Sequence, residues 1–281
     1  MPSAPSVTQW SAWATFLEQI ETAAQELGCR PGDDRFYRGH ADGSWPLLPT
    51  LFRTYRAEAI DHVESDLFFE FQARAKELHH LQLSDWDVLF FMRHHGVPTR
   101  LLDWTETLGI ALYFALERYA MDRRGAGVTA IEDPCIWILN PYRLNAERPI
   151  EEEADLVAPR FLGWNEDEQA YYDYGELLVE EGDWPWGDEP VAIYPQQKPA
   201  RMSAQRGWFT IHGNSPRPID AQTPDFVRKV TIAAAAVPSA LETLRIGGID
   251  RYGIYADLDG LAASLVAKNA GRGKPTQLDD N

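Results

Sequence analysis

The sequence predicts an α+β domain. Helical periodicity runs through residues 8–27 and 57–80, and again after Thr105. Between these lie short β-type runs, "RFYRG", "CIWIL", "RGWFTIHG" and "FVRKVTIAAAAV". Strands and helices alternate, but with no clean strand–helix–strand rhythm, which disfavours a parallel sheet.

Taken in order, residues 8–27 place Trp10, Trp13, Leu17, Ile20, Ala24 and Leu27 at helical spacing, and Gly28 stops the helix. "RFYRG" reads as a strand with Phe36 and Arg38 on the face opposite Tyr37. "SWPLLPTLFR" is broken by prolines and reads as an irregular packed segment. Residues 57–80 form an amphipathic helix with Leu67, Phe68, Phe71, Ala75 and Leu78 inward. Ser84 caps a helix from Asp85 that ends near His94–Gly96. Beyond Pro98, either Asp103 or Thr105 caps a helix burying Leu108, Ala111, Leu112, Ala115, Leu116 and Tyr119. "CIWIL" has the look of a buried strand, "SALETLRIGG" of a short helix, and "RYGIYADLDGLAASLVAK" of a strand end leading into a capped helix. The expected organisation is an N-terminal helix over 1–29, a main domain over 30–268 and a loose polar tail over 269–281.

The chain has 281 residues, 44% hydrophobic and 12% aromatic, enough for a sizeable core. The N-terminus lacks the basic and apolar regions of a secretory signal, and no run reaches eighteen apolar residues. Cys29 and Cys135 form no metal spacing, so the expected setting is the reducing cytoplasm, away from membranes. The formal net charge is -17, but residues 147–189 hold fifteen Asp/Glu against two Lys/Arg and carry -13 of it. The rest is near neutral, which disfavours broad binding to a phosphate backbone.

That acidic insert also holds Phe161, Trp164, Tyr171, Tyr172, Tyr174, Trp184 and Trp186. It reads either as a helical subdomain packed on the body or as a lid or docking element for a basic partner.

The segment "FYRGH" and the later "HHGVPTRLLDWTETLGIALYFAL" carry the chemistry. Their run of Tyr37-Arg38-Gly39, His94, Gly96, Pro98 through Thr105, and Ala111 through Ala115 resembles the FRG domain family. "RMSAQRGWFTIHG" and "LRIGGIDRYGIYADLDGLAASL" extend the likeness from about residue 30 to 266, across the insert. Arg93 departs from it, since many members carry Gln there. The early Arg-Gly and the Thr-bearing motif before a helix also look like the ADP-ribosyltransferase pattern. That resemblance implies a split mixed or antiparallel sheet flanked by helices, with NAD as the substrate. It also implies transfer of ADP-ribose to a protein or nucleic acid, or cleavage of NAD. The setting it implies is a bacterial toxin or anti-phage effector, with an antitoxin or other basic protein docking at 147–189.

The same resemblance assigns Arg38 to the NAD phosphates, Gly39 to nicotinamide, and Asp103 and Thr105 to the ribose pocket. It puts Gln205 where those enzymes carry a glutamate, and an amide is no general base near neutral pH. His40, His94 and Arg100 join the cofactor-binding set. Tyr37, Trp104 and Tyr113 are candidates to clamp a flat ring. No metal is expected, since His94 and His95 on a helix end point about 100° apart. Structural alternatives stand beside each role. Arg38 and Asp103 also fit a buried ion pair, and Arg100 a structural role beside Leu101-Leu102. The competing function is a non-catalytic nucleotide-binding or sensing module.

Overall fold

The computed structural model describes residues 4–79, 83–121, 132–146, 174–179, 184, 186–193 and 205–269. Helix α1 (Val7–Glu26) starts at a capping box in which Ser6 Oγ accepts from the Gln9 amide and Gln9 Oε1 accepts from the Ser6 amide. Its buried stripe is Trp13, Phe16, Ile20, Ala23 and Ala24, while Trp10 and Leu17 face solvent. The expected helix forms, and Trp13, Ile20, Ala24 and Leu27 are buried as the spacing suggests, with Phe16 and Ala23 filling the seam in place of Trp10 and Leu17.

Strand β1 (Phe36–His40) follows, then the short helix α2 (Thr50–Thr54) inside the segment expected to be irregular. A 3-10 turn leads into α3 (Ile60–His79). Helix α4 (Asp85–His94) opens on a second capping box, Ser84 with Asp87. Residues Leu101–Thr105 then form strand β2. This corrects the expectation that Asp103 or Thr105 caps a helix: Asp103 is mid-strand, and α5 (Leu108–Met121) begins three residues after β2 ends. Local sequence favours a cap at Asp or Thr, but five ladder pairs with a distant strand override it.

Strand β3 (Cys135–Leu139), helix α6 (Pro141–Ala146), helix α7 (Tyr174–Val179) and strand β4 (Val191–Ile193) come next. They are followed by β5 (Gly207–Ile211), α8 (Ile219–Gln222) and β6 (Val227–Thr231). Three helices close the described chain: α9 (Val237–Ile246), α10 (Arg251–Tyr255) and α11 (Leu258–Asn269). "RYGIY" is thus helical rather than a strand end, because Asp250 Oδ1 accepts from the Gly253 amide and caps it. The tail beyond residue 269 lies outside the described residues. No described helix is long and apolar enough to cross a membrane.

The six strands form one sheet in the order β4-β5-β2-β1-β3-β6, and every described pairing is antiparallel. The joints are unequal. Five residue pairs link β1 to β3 and five link β2 to β5, but only Tyr37 and Thr105 pair between β1 and β2. The sheet is therefore two three-stranded ladders that meet at one bridge and then part.

Each half has its own helices. Tyr37, Ile136, Ile138 and Val230 pack under α1, α5 and α9, while Leu101, Phe209, Ile211, Val191 and Ile193 pack under α3, α4 and α7. On the reverse face, Phe36, Leu102, Trp104, Trp137 and Leu139 are covered by Leu47, Leu144, Ile219 and Phe226. Strand β3 is buried on both faces, which is why "CIWIL" does not alternate. Gly39 gives the β1–α5 contact its closeness: a Cβ there would overlap the Ala111 carbonyl oxygen and lie 2.7 Å from the Ala115 nitrogen.

Tyr174, Trp184 and Trp186 of the acidic insert are buried in the core of the second half. Those three side chains pack on the body. Phe161, Trp164, Tyr171 and Tyr172 lie outside the described residues.

Candidate functional site

Where β1 and β2 part, ladder hydrogen bonds stop and backbone carbonyls need other donors. Arg38 supplies one. Its Nη1 donates to the Asp103 carbonyl oxygen at 2.7 Å and lies 3.4 Å from the Asp103 carboxylate. The same carboxylate takes a fork from Arg93 at the end of α4, with Nε 3.0 and 2.9 Å from its two oxygens and Nη2 on Oδ2. Arg93 Nη1 also donates to Thr50 Oγ1 at 3.1 Å, tying α2 to the cluster.

Arg53 is the third guanidinium. Its Nε donates to the Leu48 carbonyl at 3.0 Å and its Nη2 to Thr50 Oγ1 at 3.0 Å. Among the described residues no carboxylate comes within ion-pair distance of it, and Nη1 is left over. Two guanidiniums thus share the one carboxylate and a third stands beside them, a local charge of about +2.

The electrostatics follow from crowding. Burial, and then the neighbouring Arg93 and Arg53, pull Arg38 down to about 10 despite the opposing pull of Asp103. Burial and then Arg93 likewise lower Arg53. Burial works against the Asp103 carboxylate, but Arg93 and Arg38 outweigh it and hold the group below its usual range. Asp103 is still open to solvent, with 40% of its side chain exposed, against 19% for Arg38 and 17% for Arg93.

His40 sits behind Arg38. Burial, then the charges of Arg38 and Arg53, push it down to about 3, so the ring is neutral near pH 7. Arg38 Nε donates to His40 Nε2 at 3.0 Å and Trp137 Nε1 approaches Nδ1 at 3.3 Å. A neutral ring carries one N–H and accepts fully from only one of them, and the shorter contact is Arg38. His40 therefore aims the guanidinium and adds no charge of its own.

The other residues singled out in the sequence go elsewhere. Arg100 is fully buried, with Nε 3.0 Å from both Glu64 oxygens, Nη2 on Oε2, and Nη1 donating to the His212 and Gly213 carbonyls at 2.9 and 3.0 Å. All its nitrogens are spent and none reaches solvent, so its place in the cofactor-binding set is corrected to the structural alternative. Trp104 is buried and donates Nε1 to Thr210 Oγ1 at 3.1 Å. Tyr113 is core, with its hydroxyl donating to Glu117 Oε1 at 3.2 Å. Tyr37 packs on the helix side of the sheet, away from Arg38. None of the three presents a free ring face beside the arginines, because each is enclosed by the helices or the sheet.

Gly39 is explained by α5. Thr105 Oγ1 donates to the Gln205 carbonyl at 2.8 Å, and Gln205 Nε2 donates to the Ile254 carbonyl at 3.2 Å. Those two residues form their own tie between β2, β5 and α10, and no hydrogen bond joins them to Arg38 or Asp103. His94 ends α4, its ring 4.8 Å from and edge-on to that of His95. Near the start of β1 a depression of about 420 Å³ lies between Gly32, Asp33, Asp34, Arg35, Tyr37, Glu106 and Arg206. Its three carboxylates outnumber its two guanidiniums, and Arg35 and Arg206 are already paired with Glu21 and Glu106, which makes it a poorer seat for phosphate.

Arg53, Arg93 and Thr50 were missed as site residues. Arg93 lies five residues before Pro98 and Arg53 in the proline-broken segment 44–53, and nothing local says that the two meet around Thr50 beside Asp103.

No curated protein and no solved structure matches the chain. A family model does match: the FRG domain, over residues 33–124. Arg38, His40, Thr50, Arg53, Arg93 and Asp103 all fall inside the span that matches the FRG domain.

Proposed function

We propose that the arginine cluster grips the phosphate groups of a nucleotide, with NAD as the first ligand to test. The observation that carries this is the surplus of cations: Arg53 has no carboxylate partner among the described residues, and Asp103 answers only part of the remaining charge. Guanidinium forks suit phosphate oxygens, and a half-buried site strengthens the attraction. On this reading the FRG domain is a binding or sensing module.

A second reading keeps the chemistry of ADP-ribose transfer or NAD cleavage, in an effector acting on a protein or nucleic-acid acceptor. It is favoured by the single-bridge division of the sheet, with Arg38 at the opening. Against it, a carboxylate that must steady a cationic sugar is here already shared by two guanidiniums. Calorimetric titration with NAD, with released nicotinamide measured in the same samples, separates the two. Binding without nicotinamide supports the module, and nicotinamide release supports the transferase. Absence of NAD and ADP-ribose binding removes both.

A further inference from the structure

We infer that Trp45 is the platform on which a base stacks, so that the ligand of this site is a nucleoside phosphate rather than a bare phosphate or a sugar phosphate. The inference rests on the phosphate-gripping reading above and adds the ligand's other end.

Trp45 stands on the turn that leaves β1, five residues after His40. Its side chain is 37% exposed, whereas Tyr37, Trp104 and Tyr113 are all below a tenth. A single exposed tryptophan needs no explanation by itself. What distinguishes this one is how it is held and what it stands next to. The turn is pinned by Asp42, a buried carboxylate that accepts from Ser44 N at 2.9 Å, Ser44 Oγ at 2.6 Å and Glu132 N at 3.2 Å. The Gly43 amide donates to the Asp133 carbonyl at 3.1 Å, and Lys229 Nζ donates to the Gly43 carbonyl at 2.6 Å. A Cβ on Gly43 would come within 2.8 Å of that Asp133 oxygen, so the turn is closed tightly. The chain orders its backbone here around a side chain that it leaves in water.

The neighbours are those of a stacking site. The Arg118 guanidinium of α5 lies 4.8 Å from the Trp45 ring centroid, and the His40 ring lies 6.0 Å away. His40 in turn holds Arg38. An indole face and the arginine cluster are therefore separated by one imidazole. A flat base on the indole and phosphates on the arginines use both surfaces in one molecule. Loss of such a stack costs about ten- to a hundredfold in affinity.

The test is calorimetric titration of the full chain with ADP and with pyrophosphate. Wild type is expected to bind ADP at least about tenfold more tightly, since pyrophosphate offers no ring. Trp45→Ala is expected to lose about tenfold or more for ADP and to keep pyrophosphate within about twofold. Trp45→Leu, which keeps apolar bulk without the ring, is expected to follow it, and Trp45→Phe to retain most of the ADP affinity. Equal wild-type affinity for the two ligands, or unchanged ADP affinity in Trp45→Ala, overturns the stacking role and leaves the phosphate reading intact. Arg53→Ala is expected to weaken both ligands together. If wild type binds neither ligand, or Arg53→Ala changes neither, both proposals fall.

Discussion

Two arginine–carboxylate centres lie within this domain, and they are built to opposite ends. At Arg100 and Glu64, every guanidinium nitrogen is bonded, the charge is fully enclosed, and the Trp184 ring covers it at 3.7 Å. Tyr174 completes the centre by donating its hydroxyl to Glu64 Oε1 at 2.6 Å. At Arg38, Arg93 and Asp103, the carboxylate is 40% exposed and a third guanidinium, Arg53, has no carboxylate partner among the described residues. A saturated buried pair fixes structure; an unsaturated half-open one leaves capacity for a ligand. The comparison also assigns part of the acidic insert, because Tyr174 and Trp184 belong to it and finish the closed centre. Deleting residues 147–189 would therefore unseat the scaffold, whatever else the insert does.

The largest effect separating the two centres is on stability. Glu64→Ala strands a buried guanidinium and is expected to cost about 3–5 kcal/mol in denaturant unfolding. Replacing both partners with apolar residues of similar volume should recover most of that loss. Arg38→Ala removes the donor to the Asp103 carbonyl and is expected to cost about 1–3 kcal/mol, less than Glu64→Ala because the site is partly wet. If the two losses prove equal, the contrast between the centres is wrong.

Acid sharpens the comparison next. His40 beside the open centre and His212 beside the closed one are each held near 3, by burial and then by Arg38 and by Arg100 respectively. The unfolded chain protonates them near their ordinary 6.5. Between those values the unfolded state binds more protons, so folding stability is full above about pH 6.5 and falls as pH drops towards 3. The slope is up to about 1.4 kcal/mol per pH unit for each histidine. Melting curves at pH 7, 5 and 4 should show the decline, and His40→Gln should roughly halve it, His212 supplying the rest. Tyr174→Phe comes lower, at about 1–2 kcal/mol for one lost hydrogen bond to a buried carboxylate. Smallest in stability is Arg53→Ala, expected within about 0.5 kcal/mol of wild type while NAD or ADP binding falls at least about tenfold. A large stability loss in Arg53→Ala would make the open centre a second scaffold and erase the distinction.

The sequence by itself determined the helices whose caps and seams are local: Ser6 with Gln9, Ser84 with Asp87, and the apolar run of α5. It also carried the two short motifs that bear Arg38 and Asp103, because each is a recognisable local run of residue types. Tertiary structure alone decided that Leu101–Thr105 is a strand, since its hydrogen-bond partners lie about a hundred residues away in β5. It alone separated Arg100 from Arg93, seven positions apart on the chain, by enclosing one guanidinium and leaving the other at an opening. The physical reason is that solvent exposure and charge balance are properties of what surrounds a side chain. Those surroundings come from α2, α3, α7 and β5, and no local pattern near residue 100 specifies them.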